Sequence, residues 1–124
     1  CEYAVLLYRD KLPKFRNNGD MIFNCMDVLR DTTTPKIHPT QKSIHIIRKL
    51  IEIFTDPGDV VIDPVAGSGV TLLAAEQLGR KSYGFEIKKE YVDKFYNVLA
   101  NKVQTTIFNQ VKHENTKILK LENM

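Results

Sequence analysis

Residues 58–71 read Gly-Asp-Val-Val-Ile-Asp-Pro-Val-Ala-Gly-Ser-Gly-Val-Thr, and no other run constrains the fold as strongly. A short apolar strand, Val60 to Ile62, ends in the carboxylate of Asp63. A Pro-Val-Ala-Gly-Ser-Gly turn follows, and an apolar helix, Val70 to Leu78, opens directly from it. Gly67 and Gly69 permit positive φ and close backbone approach, and the start of the helix presents unpaired N–H groups. Strand, glycine turn and helix in this order predict an α/β fold with a ligand site at the carboxyl end of the strand.

The physics is that of a nucleotide-type cofactor site, with one twist. A carboxylate at the position of Asp63 would repel a pyrophosphate. It suits a ligand carrying a cationic amine, such as the methionine part of S-adenosylmethionine. A glycine-rich turn on its own is weak evidence, so its neighbours matter.

Downstream, Lys81 to Phe85 reads as a second short strand, ending at Glu86. Asp63 and Glu86 are separated by close to the roughly 20 residues that part a glycine loop from the ribose-binding acid of a βαβ unit. An acid there accepts hydrogen bonds from both hydroxyls of a ribose. Taken alone, Glu86 is equally well read as a solvated residue opening the next helix, where the dipole favours it.

Upstream, His38-Pro39-Thr40-Gln41-Lys42 precedes a strongly periodic segment, Ser43 to Phe54. Ile44, Ile47, Ile51 and Phe54 share one helical face, widened by Ile46, Leu50 and Ile53; Lys42, His45, Arg48, Lys49 and Glu52 face water. Thr40 is the expected N-cap. Its hydroxyl, the free N–H groups of the first turn and Lys42 together make a cradle for a carboxylate. An ordinary capped helix explains the same spacing.

These residues, taken in order, carry a resemblance. His-Pro-Thr-Gln-Lys, an amphipathic helix, Asp-Pro-x-x-Gly-Ser-Gly-x-Thr and then Gly-Phe-Glu resemble the C-terminal part of a beta-class DNA amino-methyltransferase. The likeness covers residues 38 to about 100, and Glu2 to Tyr8 resembles the family's Glu-Tyr segment with its apolar strand. Ser43, Val65 and Val70 depart from it, standing where the family often has Pro, Phe and Thr. None of the three removes a charge or a glycine, although losing a phenyl ring at Val65 removes contact area near the cofactor.

The resemblance implies a partial Rossmann-like fold of the S-adenosylmethionine-dependent methyltransferases, an α/β architecture with a mostly parallel sheet flanked by helices. It implies the cofactor-binding portion of a site-specific enzyme of the restriction-modification kind, which moves a methyl group to the exocyclic amine of adenine or cytosine in double-stranded DNA. It places Pro39, Thr40, Gln41 and Lys42 near the methionine carboxylate, and Asp63 near the amine. Pro64, Val65, Ala66, Gly67, Ser68 and Gly69 follow the cofactor's chain. Thr71 adds a hydroxyl, Glu86 takes the ribose, and Ile87 packs on the adenine. The family catalyses with a Pro-Pro-Tyr motif, and the five prolines here are all isolated. The expectation is therefore a fragment, inactive alone. The alternative is a cofactor-binding module or half-subunit completed by a separate catalytic chain. A Rossmann domain for a dinucleotide is disfavoured by Asp63 and by the His38–Lys42 motif.

At 124 residues the chain is expected to form a single domain, 1–124, with a cofactor-binding core over 38–103. Such a domain buries roughly two-thirds of its unfolded surface. A net charge of +3 is too mild to imply nucleic acid by itself. Two cysteines without partners at metal spacing, and three scattered histidines, point to no metal and a reduced cytoplasmic setting; the resemblance implies a bacterial, archaeal or phage origin. No apolar run approaches a membrane span. Tyr3 to Tyr8 reads as a strand, Arg9 to Asp20 as a polar loop, and Met21 to Leu29 fits either strand or irregular structure. Residues 30–36 form a connector, Lys88 to about Val103 the longest helix, and Ile118 to Leu121 a short strand or a frayed end. Lys11, Lys14 and Arg16 could track phosphates, but a solvated loop explains them more simply. A truncated sheet with an unpaired edge invites self-association.

Overall fold

The computed structural model describes residues 3–10, 15–16, 21–22, 25–27, 30–32, 34–106 and 116–120, with 102–106 and 116–120 described by backbone alone. Six elements follow in chain order: α1 (Ile44–Phe54), β1 (Val60–Asp63), α2 (Val70–Gln77), β2 (Lys81–Glu86), α3 (Lys89–Thr106) and β3 (Thr116–Lys120).

The strands form one parallel sheet in the order β1-β2-β3. Val60 pairs with Lys81 and Asp63 with Gly84, while Ser82 pairs with Thr116 and Glu86 with Lys120. Parallel neighbours require crossovers, and α2 and α3 supply them. Because β1 and β2 run in register, Asp63 and Glu86 emerge at the same end of the sheet.

Burial alternates along β2. Ser82, Gly84 and Glu86 are buried, and Lys81 and Tyr83 are not. The buried side meets α2, whose Val70 and Leu72 to Ala75 are all buried. Gly84 makes this close packing possible. A Cβ there would stand 2.9 Å from Ala66 Cβ and 2.9 Å from both Leu72 methyls. The opposite side of the sheet is open, with Val60 52%, Ile62 62% and Tyr83 38% exposed.

α1 buries Ile44, Ile51 and Ile53 and lies against α2. Its start corrects the expected cap. The N-cap is Ser43, with no side-chain cap bond. The carboxylate of Asp31, thirteen positions upstream, accepts from Ile44 N–H at 3.3 Å and from Thr34 N–H at 2.9 Å. Thr40 does not cap because its own N–H and hydroxyl turn to His38. At the other end Thr55 is extended (φ −136°, ψ 161°), and its hydroxyl donates back to Ile51 O at 2.6 Å. Buried Arg80 then ties this end to the α2–β2 turn. Its guanidinium donates to Thr55 Oγ1 (3.0 Å), Thr55 O (2.8 Å) and Leu78 O.

In α3, Val92, Phe95 and Leu99 are buried and Tyr91 and Val98 half-buried, the stripe expected from the sequence. The final strand falls at Thr116–Lys120. Tyr3 to Tyr8 differs from expectation. These residues form no strand, and Tyr3, Val5 and Leu7 are 91%, 80% and 86% exposed. A strand needs a ladder partner as well as β-branched residues, and none of the described strands pairs with this segment. The described parts of 21–27 are irregular.

Candidate functional site

The glycine turn is built from backbone bonds. Asp63 Oδ1 accepts from Val65 N–H at 3.1 Å, bending the chain sharply as β1 ends. Ala66 N–H donates to Phe85 O at 2.8 Å, pinning the turn across the end of β2, and Gly69 N–H donates to Ala66 O at 2.8 Å. Gly67 and Gly69 adopt φ +52° and +73°, as the sequence suggests. Their reasons differ. The space around Gly67 is nearly open, whereas a Cβ on Gly69 would lie 2.2 Å from Phe95 Cδ2. The close approach at Gly69 is made by the aromatic ring of α3, a packing contact.

Glu86 is buried, and both its oxygens are engaged. Oε2 accepts from Gly67 N–H at 2.8 Å and Oε1 from Lys88 N–H at 2.7 Å. One carboxylate thus braces the turn on one side and the start of α3 on the other. Each oxygen keeps a further lone pair. Around this brace Ala66, Ser68 and Gly69 are buried and Gly67 and Thr71 half-buried. Pro64, Val65 and Ile87 form an exposed rim. Asp63 is half-buried at the edge of the turn, with Oδ2 unbonded among the described residues. The structure therefore brings together every predicted residue from Asp63 to Gly69, with Thr71, Glu86 and Ile87.

The His38–Lys42 motif is a separate construction. Gln41 N–H donates to His38 O at 3.1 Å; Gln41 Oε1 accepts from Ile37 N–H at 2.9 Å; Gln41 Nε2 donates to Pro35 O at 3.1 Å. Gln41 is thus a clamp on its own loop. The His38 ring meets the Tyr91 ring edge-on, with centroids 4.7 Å apart. Tyr91 in turn receives the Lys88 ammonium 5.6 Å from its centroid. The motif therefore reaches the brace through α3, by way of His38, Tyr91 and Lys88. Pro39, Thr40 and Lys42 remain exposed. Gln41 and Lys42 of the motif also border an open cavity of about 330 Å³, with Arg30, Asp31 and Lys36.

Sequence reasoning missed several of these parts. Asp31, Gly84 and Arg80 give only weak local signals, since each acts on residues brought near by folding. Tyr91 was legible as a stripe residue, and its contact with His38 was not. The basic loop resolves as packing where it is described: Arg16 Nη2 donates to Asp56 Oδ2 at 2.7 Å, Arg16 N–H donates to Ile53 O at 2.8 Å, and Phe15 lies edge-on to Phe54. Lys11 and Lys14 lie outside the described residues. On the surface of α3, the Lys94 ammonium one turn along holds the Glu90 carboxyl below its usual range by a hydrogen bond and by its charge. Among the described residues no group of three His, Cys, Asp or Glu is placed to hold a metal ion, and no helix is long and apolar enough to cross a membrane.

The sequence profile of the DNA methylases matches residues 7–97, a span holding the motif, the turn and the brace together. The chain belongs to the DNA methylase family. It is 39% identical over 88 residues to the type II methyltransferase M.BglII of Bacillus subtilis, covering 71% of this chain and 24% of that protein. It is 35% identical over 91 residues to the type II methyltransferase M2.DpnII of Streptococcus pneumoniae, covering 68% of this chain and 33% of that one. The crystal structure of the M1.HpyAVI–SAM complex superposes with a TM-score of 0.62 at 36% identity, over 69% of this chain and 43% of the other. This DNA methylase chain thus spans between a quarter and a half of the relatives it resembles.

Proposed function

We propose that this chain is the cofactor-binding portion of a site-specific DNA methyltransferase, which moves a methyl group from S-adenosylmethionine to the exocyclic amine of adenine or cytosine in double-stranded DNA. One observation carries the reading. Two carboxylates, Asp63 and Glu86, flank a glycine turn at the carboxyl ends of adjacent parallel strands, in the place where open α/β sheets take their ligands. This donor set fits a cationic amine and a pair of ribose hydroxyls and opposes a pyrophosphate. The solved complex of M1.HpyAVI with SAM supports the choice.

Each residue has a physical task. Asp63 Oδ2 is free to accept from the methionine ammonium. Glu86 offers the second lone pair of each oxygen to the ribose hydroxyls while its first pairs hold the turn. Pro64 to Gly69 shape the floor beneath the cofactor's chain, and Thr71 adds a hydroxyl at its edge. Exposed Ile87 packs on the adenine. Lys42, with Thr40 and Gln41 on the loop after Pro39, attracts the carboxylate. When bound, S-adenosylmethionine supplies an electrophilic methyl group, and the target base leaves the duplex so that its amine lies in line with it. Residues 38–103 are the core of this binding unit. Among the described strands β1 pairs on one side alone, and its other edge is where further strands of the whole methylase or a second copy of the chain would continue the sheet. The bacterial relatives and the free thiol of Cys25 support a cytoplasmic setting.

Calorimetry with S-adenosylhomocysteine tests the reading. Asp63→Ala should weaken binding by about 1.5–3 kcal/mol, the scale of a hydrogen bond to a charged group. Lys42→Ala should lose less, because an exposed ammonium is screened. NAD should not compete. A folded Asp63→Ala chain that binds as tightly as the parent would show that the turn is purely structural. With no Pro-Pro-Tyr in its sequence, the 124-residue chain should transfer no labelled methyl group to DNA unaided.

A further inference from the structure

We propose that His38 is a positioning residue of the cofactor site: its unprotonated Nδ1 holds Thr40 in place, and a proton on that atom releases it. The inference rests on the reading that residues 39–42 take the methionine carboxylate.

The argument starts from a backbone group that has no choice of role. Thr40 N–H lies 3.2 Å from His38 Nδ1. A backbone N–H can only donate, so Nδ1 must present a lone pair and the ring proton sits on Nε2. The Thr40 hydroxyl lies 2.9 Å from the same nitrogen. With Nδ1 an acceptor, this hydroxyl donates to it as well, and its own lone pairs are turned outward. One imidazole nitrogen therefore fixes both polar groups of the residue expected to meet the carboxylate.

The ring is not free to swing away. Its edge-on contact with Tyr91 of α3 (4.7 Å between centroids, planes at 64°) sets its orientation, and the bond from Gln41 N–H to His38 O closes the turn around it. A proton on Nδ1 sets it against the Thr40 N–H, which can only donate, and leaves the Thr40 hydroxyl to reverse and accept. The ring meets Thr40 on its own segment and Tyr91 on α3; the charged groups nearest in those two elements are Lys42, and Lys88, Lys94 and Glu90. The Lys88 and Lys94 ammoniums lie 5.6 and 5.9 Å from the Tyr91 centroid, and Glu90 is already paired with Lys94. Protonation thus loosens the motif by loss of the backbone hydrogen bond and reversal of the hydroxyl, and the glycine turn is untouched.

Two measurements test this. First, ring ¹⁵N spectra of the free protein, with no ligand present, should show the neutral ring of His38 carrying its proton on Nε2. An Nδ1–H form overturns the proposal whatever the protein binds. Second, S-adenosylhomocysteine affinity is compared at about pH 8 and about pH 5.5, the range across which imidazole side chains change charge. The parent should weaken by about three- to tenfold at the lower pH, the scale of one neutral hydrogen bond. His38→Asn places a non-titrating acceptor where Nδ1 stood, so it should bind equally at both values. His38→Ala should bind weakly at both. If the parent and His38→Asn lose affinity in parallel, the proposal is wrong. If the parent binds at neither pH, it is the cofactor reading that fails, and the ring spectra still decide the role of Nδ1.

Discussion

The two halves of the site are held by different forces. The turn from Asp63 to Gly69 sits on the hydrophobic core, with Gly69 against Phe95, Ala66 against Gly84, and the buried Glu86 bonded into it. The His38–Lys42 motif stands at the surface, shaped by Gln41, His38 and Asp31 through side-chain bonds to nearby backbone. Core packing is dense and cooperative, so the first half fails only with the domain. A few exposed hydrogen bonds are local, so the second half can loosen while the sheet stays folded. A site built this way keeps one wall rigid and lets the other respond to its surroundings.

The sharpest way to break this comparison is at Gly69. Gly69→Ala adds a Cβ 2.2 Å from Phe95 at φ +73°. Overpacking costs about 1–3 kcal/mol, and a left-handed backbone costs about 1–2 kcal/mol more. Urea denaturation should therefore show a global loss of about 3 kcal/mol, a large share of a marginal stability. The cycle with Phe95→Ala should be non-additive, because the double variant has room for the methyl. Full additivity would mean that the turn is not core-coupled.

Glu86→Ala comes next, leaving Gly67 and Lys88 N–H groups without their charged acceptor. It should lower global stability by roughly 1.5–3 kcal/mol. Glu86→Gln should lose less, since its carbonyl oxygen still accepts. On the other side of the comparison, Asp31→Ala removes the cap of α1 and should cost about 1 kcal/mol. Hydrogen exchange should show it mainly in the first turn of α1, and protection lost evenly across the sheet would contradict the contrast between the halves.

The smallest effect belongs to the surface of α3. Glu90 is held below its ordinary carboxylate range by Lys94. A depressed carboxylate contributes stability above its unfolded value and loses it as pH falls through its folded value. Lys94→Met should therefore leave neutral-pH melting almost unchanged and slightly flatten its acid limb, without touching either half of the site.

Much of the rigid half was legible in the sequence because its signals are local. Val60 to Ile62, the glycine pair and the alternation of Lys81 to Glu86 each announce their own conformation. Asp63 and Glu86 could be placed together because parallel βαβ units bring strand ends into line. Thr40 as a helix cap was misread for a physical reason. Side-chain caps compete, and Asp31 reaches Ile44 from thirteen residues away while Thr40 is held by His38. The packing of Gly69 against Phe95 was not legible, because nothing in its neighbourhood reveals that a ring twenty-six residues on fills the space beside it. Tyr3 to Tyr8 has the composition of a strand and lacks a partner among the described strands. Long-range fit, rather than propensity, is what the sequence leaves implicit.

The ring of Phe95 beneath Gly69 has a thermodynamic consequence. An opening of α3 would withdraw the ring and leave the turn without its floor, so α3 and the turn share one conformational equilibrium. Whatever binds the closed turn must then hold α3 closed, by the free energy of that binding. Linkage runs both ways: slowed amide exchange in the middle of α3 would report occupancy of the turn, and a substitution that populates the open helix would weaken binding in proportion to the fraction left closed.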